Sequence, residues 1–183
     1  MVPIRRAQGV WLEDYDGKRY LDAISSWWVN LFGHAHPRLD AALRDQVGTL
    51  EHVILAGFTH APAIELAERL VEVAPAGLTR VQYADNGSSA VEIALKLAFH
   101  HCRNRGDTRR TQFVALAGGY HGETLGALSV TDIPLYRETY APLLLTPLTT
   151  MSPDATQAEP GETAFDVATR AADALDALLA EHG

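Results

Sequence analysis

The sequence predicts an α/β protein with a mostly parallel sheet, preceded by an N-terminal β-hairpin. Two observations carry the parallel part. An order of strand, helix and strand runs from Thr79 to Ala117, and such alternation favours parallel strands joined by right-handed crossovers. The second strand ends in Gly118-Gly119-Tyr120-His121-Gly122, a loop at the strand end where open α/β sheets bind ligands. The hairpin rests on Asp16-Gly17, set between the strand-like runs Trp11–Tyr15 and Lys18–Asp22. Asp-Gly between such runs supplies the positive φ angles of a tight turn.

The elements follow in order. Pro37 fits the first turn of a helix running to about Leu50, because its fixed φ is already helical. A second helix is expected from Pro62 to Ala74, with Ile64, Leu66, Ala67, Leu70 and Val71 at helical spacing and Pro75 as its stop. Thr79–Ala84 reads as a short strand, and Ser89–Cys102 as a helix. Ser89-x-x-Glu92 has the form of a capping box. Thr111–Ala117 is the next strand, and a short helix should begin near Glu123. A polar loop covers residues 151–163. The last helix carries Phe165, Val167, Ala168, Ala171, Ala172, Leu175, Leu178 and Leu179 on or near its apolar side. In α/β architecture such a helix leads into another strand. The expected division is a hairpin-and-helix segment over 1–50 and a cofactor-binding large domain over 51–183.

Composition narrows the function. The 183 residues are 47% apolar and 21% charged, with a net charge of −8. That balance disfavours non-specific binding to nucleic acid or anionic membranes. No apolar run approaches the roughly 20 residues that cross a bilayer, and the first six residues lack the apolar core of a signal peptide. The single cysteine, Cys102, forms no disulfide framework and fits a reducing, cytoplasmic compartment. His34 and His36 lack further ligands at a suitable spacing, so no metal site is expected. No Gly-x-Ser-x-Gly elbow or His-Glu-x-x-His signature is present.

Asn86-Gly87-Ser88-Ser89 is the first candidate site. A tight turn into a helix aims backbone N–H groups at one point, where the helix dipole favours an anion. The loop lacks the glycine spacing of dinucleotide sites and the Gly-Lys-Ser/Thr ending of triphosphate loops. A single phosphate, as on pyridoxal phosphate, suits it better; a plain capped helix is the alternative. The aromatic Tyr120 in that loop suits stacking on a flat cofactor ring; an ordinary strand-to-helix loop is the alternative. Trp27 and Trp28, adjacent in Ser25-Ser26-Trp27-Trp28, read either as core residues or as the wall of an apolar substrate pocket.

Together these segments resemble the class III aminotransferases, pyridoxal-phosphate enzymes of fold type I. The resemblance rests on the hairpin ending in Tyr20-Leu21-Asp22, on Gly33-His34-Ala35-His36-Pro37, on the run Asp85 to Lys96, and on Gly119-Tyr120-His121-Gly122-Glu123-Thr124. Ser25-Ser26-Trp27-Trp28 and the run from Gly57 to Leu66 are similar to one branch in particular. That branch passes the amino group of S-adenosylmethionine to 8-amino-7-oxononanoate, giving 7,8-diaminopelargonate in biotin synthesis; the alternatives are another class III ω-amino-acid or ornithine-type aminotransferase, or a truncated fragment without catalysis.

The resemblance implies that Gly87 and Ser88 hold the cofactor phosphate. It implies that Tyr120 stacks by the pyridine ring and touches substrate, and that Trp27 and Trp28 line the pocket for the aliphatic acid. It also implies a homodimer, an amino-terminal piece covering somewhat under half of a family member, and a family Schiff-base lysine beyond the last residue. The chain's two lysines, Lys18 and Lys96, are not placed for that role. No catalytic residue is therefore assigned within the chain, and poor solubility in isolation is expected.

Overall fold

The computed structural model describes residues 1–182. The chain divides into two compact units, Met1–Val81 and Gln82 onward.

The first unit opens with a three-stranded antiparallel sheet: β1 (Ile4–Gln8), β2 (Trp11–Asp14) and β3 (Arg19–Leu21), in that order. The Asp16-Gly17 turn forms as expected, with Gly17 at φ +82°. Asp14 organises it. Its Oδ1 accepts the N–H groups of Asp16 and Lys18 at 3.0 and 2.9 Å, and its Oδ2 accepts the Tyr20 hydroxyl at 2.8 Å. β1 was not foreseen from the sequence; it pairs with β2, and an Arg6–Glu13 ion pair of 2.7 Å ties the two strands. Gly33 lies with its Cα hydrogens against Gly9, joined by the Gly9–His34 bridge; an added Cβ would meet the Gly9 backbone at 3.0 Å.

One turn, α1 (Ser25–Trp28), precedes α2 (Pro37–Val47) and α3 (Ala61–Val73). Both longer helices carry proline in the first turn, as the sequence predicts. Neither buries a residue fully.

The second unit holds the apolar core. It contains α4 (Gly87–Asn104), β4 (Val114–Leu116), α5 (Leu125–Ser129), α6 (Pro134–Arg137), β5 (Leu148–Thr150) and α7 (Ala164–His182), with 3-10 turns at Glu138–Leu143 and Ala155–Gln157. β4 and β5 are parallel, pairing Val114 with Leu148, Ala115 with Thr149 and Leu116 with Thr150. The core joins Ala115, Ala127, Leu128, Val130, Val167 and Ala171.

Several expectations change. Residues 79–84 join no ladder among the described residues. A strand exists only by pairing, and local apolar content cannot supply a neighbour. On α7, Val167 and Ala171 are buried, but Phe165 is 79% exposed; two positions from Val167, it points to the opposite side of the helix. Ser89 does not cap α4. The helix starts two residues earlier, and Asn86 Oδ1 accepts the Ser89 N–H at 2.8 Å.

Candidate functional site

α4 is long, 18 residues, and its first turn carries no acidic side chain. The leading N–H groups of any helix lack intrahelical acceptors. Asn86 satisfies that of Ser89, leaving the N–H groups of Gly87 and Ser88 at the positive end of the dipole. Apart from its chain neighbours and its own helix's backbone, nothing lies within 4 Å of the Cβ position of Gly87, so the space beside that residue is open.

The Gly118–Gly122 loop meets this helix start. Gly122 is at φ +116°, and a Cβ there would collide with the Ser88 side chain. Glycine is thus required twice over, by conformation and by close approach. The loop is pinned from behind. Buried Thr131 accepts the His121 N–H at 3.0 Å, and its hydroxyl lies 3.0 Å from the Ala127 carbonyl. Asp132 accepts the Gly118 N–H at 3.0 Å, and its own N–H donates to Gly119 O at 2.7 Å.

Tyr120 is half exposed, with its ring 5.4 Å from that of Tyr136. Its hydroxyl donates to Glu123 Oε1 at 3.0 Å, and this bond raises its pKa above the ordinary phenol value. The phenol therefore keeps its proton at neutral pH and serves as a donor. Glu123, three residues from Tyr120, lies in the Gly119–Thr124 run that carries the family resemblance, but without this role; Thr131, Asp132 and Tyr136 are marked by no local motif.

Glu92, read as the far half of a capping box, instead reaches across to α5. Its Oε1 accepts the N–H groups of Gly126 and Ala127 at 2.7 and 3.3 Å. A hydrogen bond from Thr124, with these two N–H bonds, holds its carboxyl below the usual range.

Trp27 and Trp28 belong to the first unit. Residues Ser25, Ser26, Trp27 and Trp28 have φ of 50°, 46°, 66° and 67°, so α1 is a left-handed turn of non-glycine residues. That conformation costs L-residues about 1–2 kcal/mol each. Asp22 offsets it. Its Oδ1 accepts the Ser26 N–H at 2.8 Å, and its Oδ2 takes the Ser26 hydroxyl and His34 Nε2, both at 2.7 Å. The turn displays both indoles, 68% and 75% exposed, with centroids 5.4 Å apart. Neither enters a core.

The lysines stand elsewhere. Lys18 Nζ lies 4.9 Å from the centre of the Tyr20 ring in the hairpin. Lys96 is nine residues past Gly87 on α4, about 13 Å along the axis.

The model of the family Aminotransferase class-III matches residues 1–182. The chain is 51% identical over 154 residues to the adenosylmethionine-8-amino-7-oxononanoate aminotransferase of Helicobacter pylori, covering 84% of this chain and 35% of that protein. It superposes on the crystal structure of the enzyme of the same name from Methanocaldococcus jannaschii with a TM-score of 0.80 and 40% identity, again over 84% of this chain and 35% of that one. An omega transaminase from Pseudomonas jessenii, in complex with PMP, matches 99% of this chain and 41% of its own at a TM-score of 0.87 and 30% identity. The chain thus spans about a third of the length of the curated relatives it matches. A parallel α/β unit preceded by an antiparallel N-terminal sheet, superposing this closely on transaminases, is the architecture of fold type I transferases. The chain belongs to the class-III aminotransferases.

Proposed function

We propose that these residues form the phosphate-holding and substrate-facing part of an aminotransferase that passes the amino group of S-adenosylmethionine to 8-amino-7-oxononanoate. The observation that carries the reading is the contact between Ser88 and Gly122, which brings the Tyr120 loop to the open N–H groups of Gly87 and Ser88. The residues fit pyridoxal phosphate: two backbone donors for one phosphate, no competing carboxylate in the first turn, and an exposed aromatic ring on the adjoining loop.

When bound, that cofactor supplies the electron sink for exchanging an amino group with a carbonyl. Gly87 and Ser88 bind its phosphate through their N–H groups. Tyr120 orients its ring; with its one proton given to Glu123, its hydroxyl oxygen offers substrate a hydrogen-bond acceptor. Trp27 and Trp28 bind the aliphatic chain of the keto acid, where apolar contact suits a long hydrocarbon. The amine that holds the cofactor comes from neither Lys18 nor Lys96. The family's homodimer is part of the proposal, since the exposed faces of α2 and α3 offer apolar surface for a second copy.

The chain is tested by titration with pyridoxal phosphate, in competition with inorganic phosphate, followed by borohydride trapping and peptide mapping. Saturable binding displaced by phosphate, with no borohydride-stable adduct at one lysine, is the expected result. A single adduct mapping to Lys18 or Lys96 overturns the assignment of the lysines. Binding indifferent to phosphate overturns the cradle.

A further inference from the structure

α4 contributes more to the candidate site than its first turn. Ser88 and Glu92 are four residues apart on α4, and so share one face of the helix. Opposite them stand Gly122 and Gly126, also four residues apart. A Cβ at Gly122 would collide with Ser88, and a Cβ at Gly126 would collide with the Glu92 carboxylate. Two glycines thus let the loop and the start of α5 seat directly on α4 at two points, one turn apart. The upper point is van der Waals contact. The lower one is bonded: Glu92 Oε1 accepts from Gly126 at 2.7 Å and from Ala127 at 3.3 Å. The loop's other bonds run to Thr131 and Asp132 in its following segment and, from the Gly119 N–H to Leu116 O, to the end of β4.

We propose that Glu92 is a positioning residue for the cofactor-phosphate site: it fixes α5 to α4 and thereby sets where the Tyr120 loop stands over the N–H groups of Gly87 and Ser88. The inference deepens the function proposed above and rests on it for the identity of the ligand. It makes a division of labour. The phosphate of a planar aromatic phosphomonoester needs only the start of α4, whereas its ring needs the loop that Glu92 holds.

The test uses the whole chain, with pyridoxal phosphate and inorganic phosphate as separate probes and amide hydrogen exchange as a ligand-free readout. Glu92→Ala is expected to speed exchange at His121, whose N–H donates to Thr131 and not to Glu92, by at least tenfold, while amides around Val167 on α7 keep their rates. Pyridoxal phosphate should bind about tenfold more weakly, and inorganic phosphate less than twofold. Glu92→Gln keeps an acceptor oxygen and should restore much of both effects. Gly126→Ala keeps the charge but denies the carboxylate its place, and should reproduce Glu92→Ala; together these two milder variants decide the matter if Glu92→Ala does not fold. An unchanged His121 amide overturns the proposal. So does a rise shared equally by α7, or equal weakening of both probes. If the unaltered chain binds neither probe, the function proposed above fails, and the exchange pattern still decides whether Glu92 holds the loop.

Discussion

Asp22 is where a single side chain governs a whole local conformation. The Ser26 N–H, then the Ser26 hydroxyl and His34, hold its carboxyl down to about 2. A carboxyl depressed by folding stabilises the fold fully above its unfolded value, near 4. That contribution falls as pH drops through about 2. The two indoles 5.4 Å apart should give a coupled near-ultraviolet circular dichroism band, and we expect this band to fade between pH 4 and pH 2. A band that persists at pH 1.5 would show that Asp22 does not hold the turn. Gly87 offers an equally local test. Its predecessor Asn86 is extended at φ −159° and ψ 172°, and its Cβ position is open. Both suit proline, which is tolerated at the first helical position and lacks an N–H. Gly87→Pro should leave helix content unchanged and remove one phosphate donor. A hydrogen bond to a charged group is worth about 1.5–3 kcal/mol, so phosphate affinity should fall about ten- to a hundredfold by calorimetry. Unaltered affinity would place the phosphate elsewhere.

Among the elements, those with their own punctuation were legible in the sequence. Asp16-Gly17 marked the hairpin, and Pro37 and Pro62 marked α2 and α3 to within a residue or two of their starts. Elements defined by a distant partner were not. β5 is three residues long and takes its identity from β4, which no local pattern encodes; β1 pairs instead with the adjacent β2 across Gly9-Val10, a turn without the Asp-Gly mark of the next one. The capping box failed for a related reason: its serine and glutamate are spaced correctly, but Asn86 reached the orphan N–H first and Glu92 found a partner 34 residues away. In the candidate site, Gly87, Ser88 and Tyr120 were readable from turn and strand-end logic. Thr131, Asp132 and Glu92 were not, because their work is to hold backbone brought near by tertiary structure. The left-handed α1 had no sequence mark at all, since no glycine stands at 25–28. Packing of the Gly33–Pro37 segment on the hairpin yields a further prediction. Gly33→Ala meets both a φ of +81° and the Gly9 backbone at 3.0 Å. It should lower stability by more than about 1 kcal/mol, read as a drop in the urea midpoint; Gly57→Ala, with a φ of +90° and nothing within 4 Å, should cost less.

At the scale of the molecule, surface area is the telling quantity. Two separate compact domains of these sizes would expose about 10,400 Å². The chain exposes 14351 Å². Obligate subunit interfaces bury about 2,000–5,000 Å² summed over both partners, about 1,000–2,500 Å² from each, so the excess is more than one such interface covers. Much of it is apolar: Val73 and Leu135 are each 81% exposed, and Leu43, Val47, Phe58 and Leu97 are exposed on or near helices. Isolated proteins rarely leave such patches open. We therefore expect the chain to self-associate at micromolar concentration, measured by sedimentation velocity. A single species at 19.9 kDa across a hundredfold dilution would overturn that expectation.

The left-handed turn at Ser25–Trp28 has one more consequence, which concerns chirality. The backbone there has the hand that D-amino acids adopt at rest. A D-alanine introduced at position 25 by semisynthesis should therefore stabilise the protein relative to L-alanine at the same place, by about 1–2 kcal/mol. Everywhere else in its helices the preference runs the other way. A short stretch of this chain is thus written in mirror-image form with natural residues, and the two tryptophans face outward because of it.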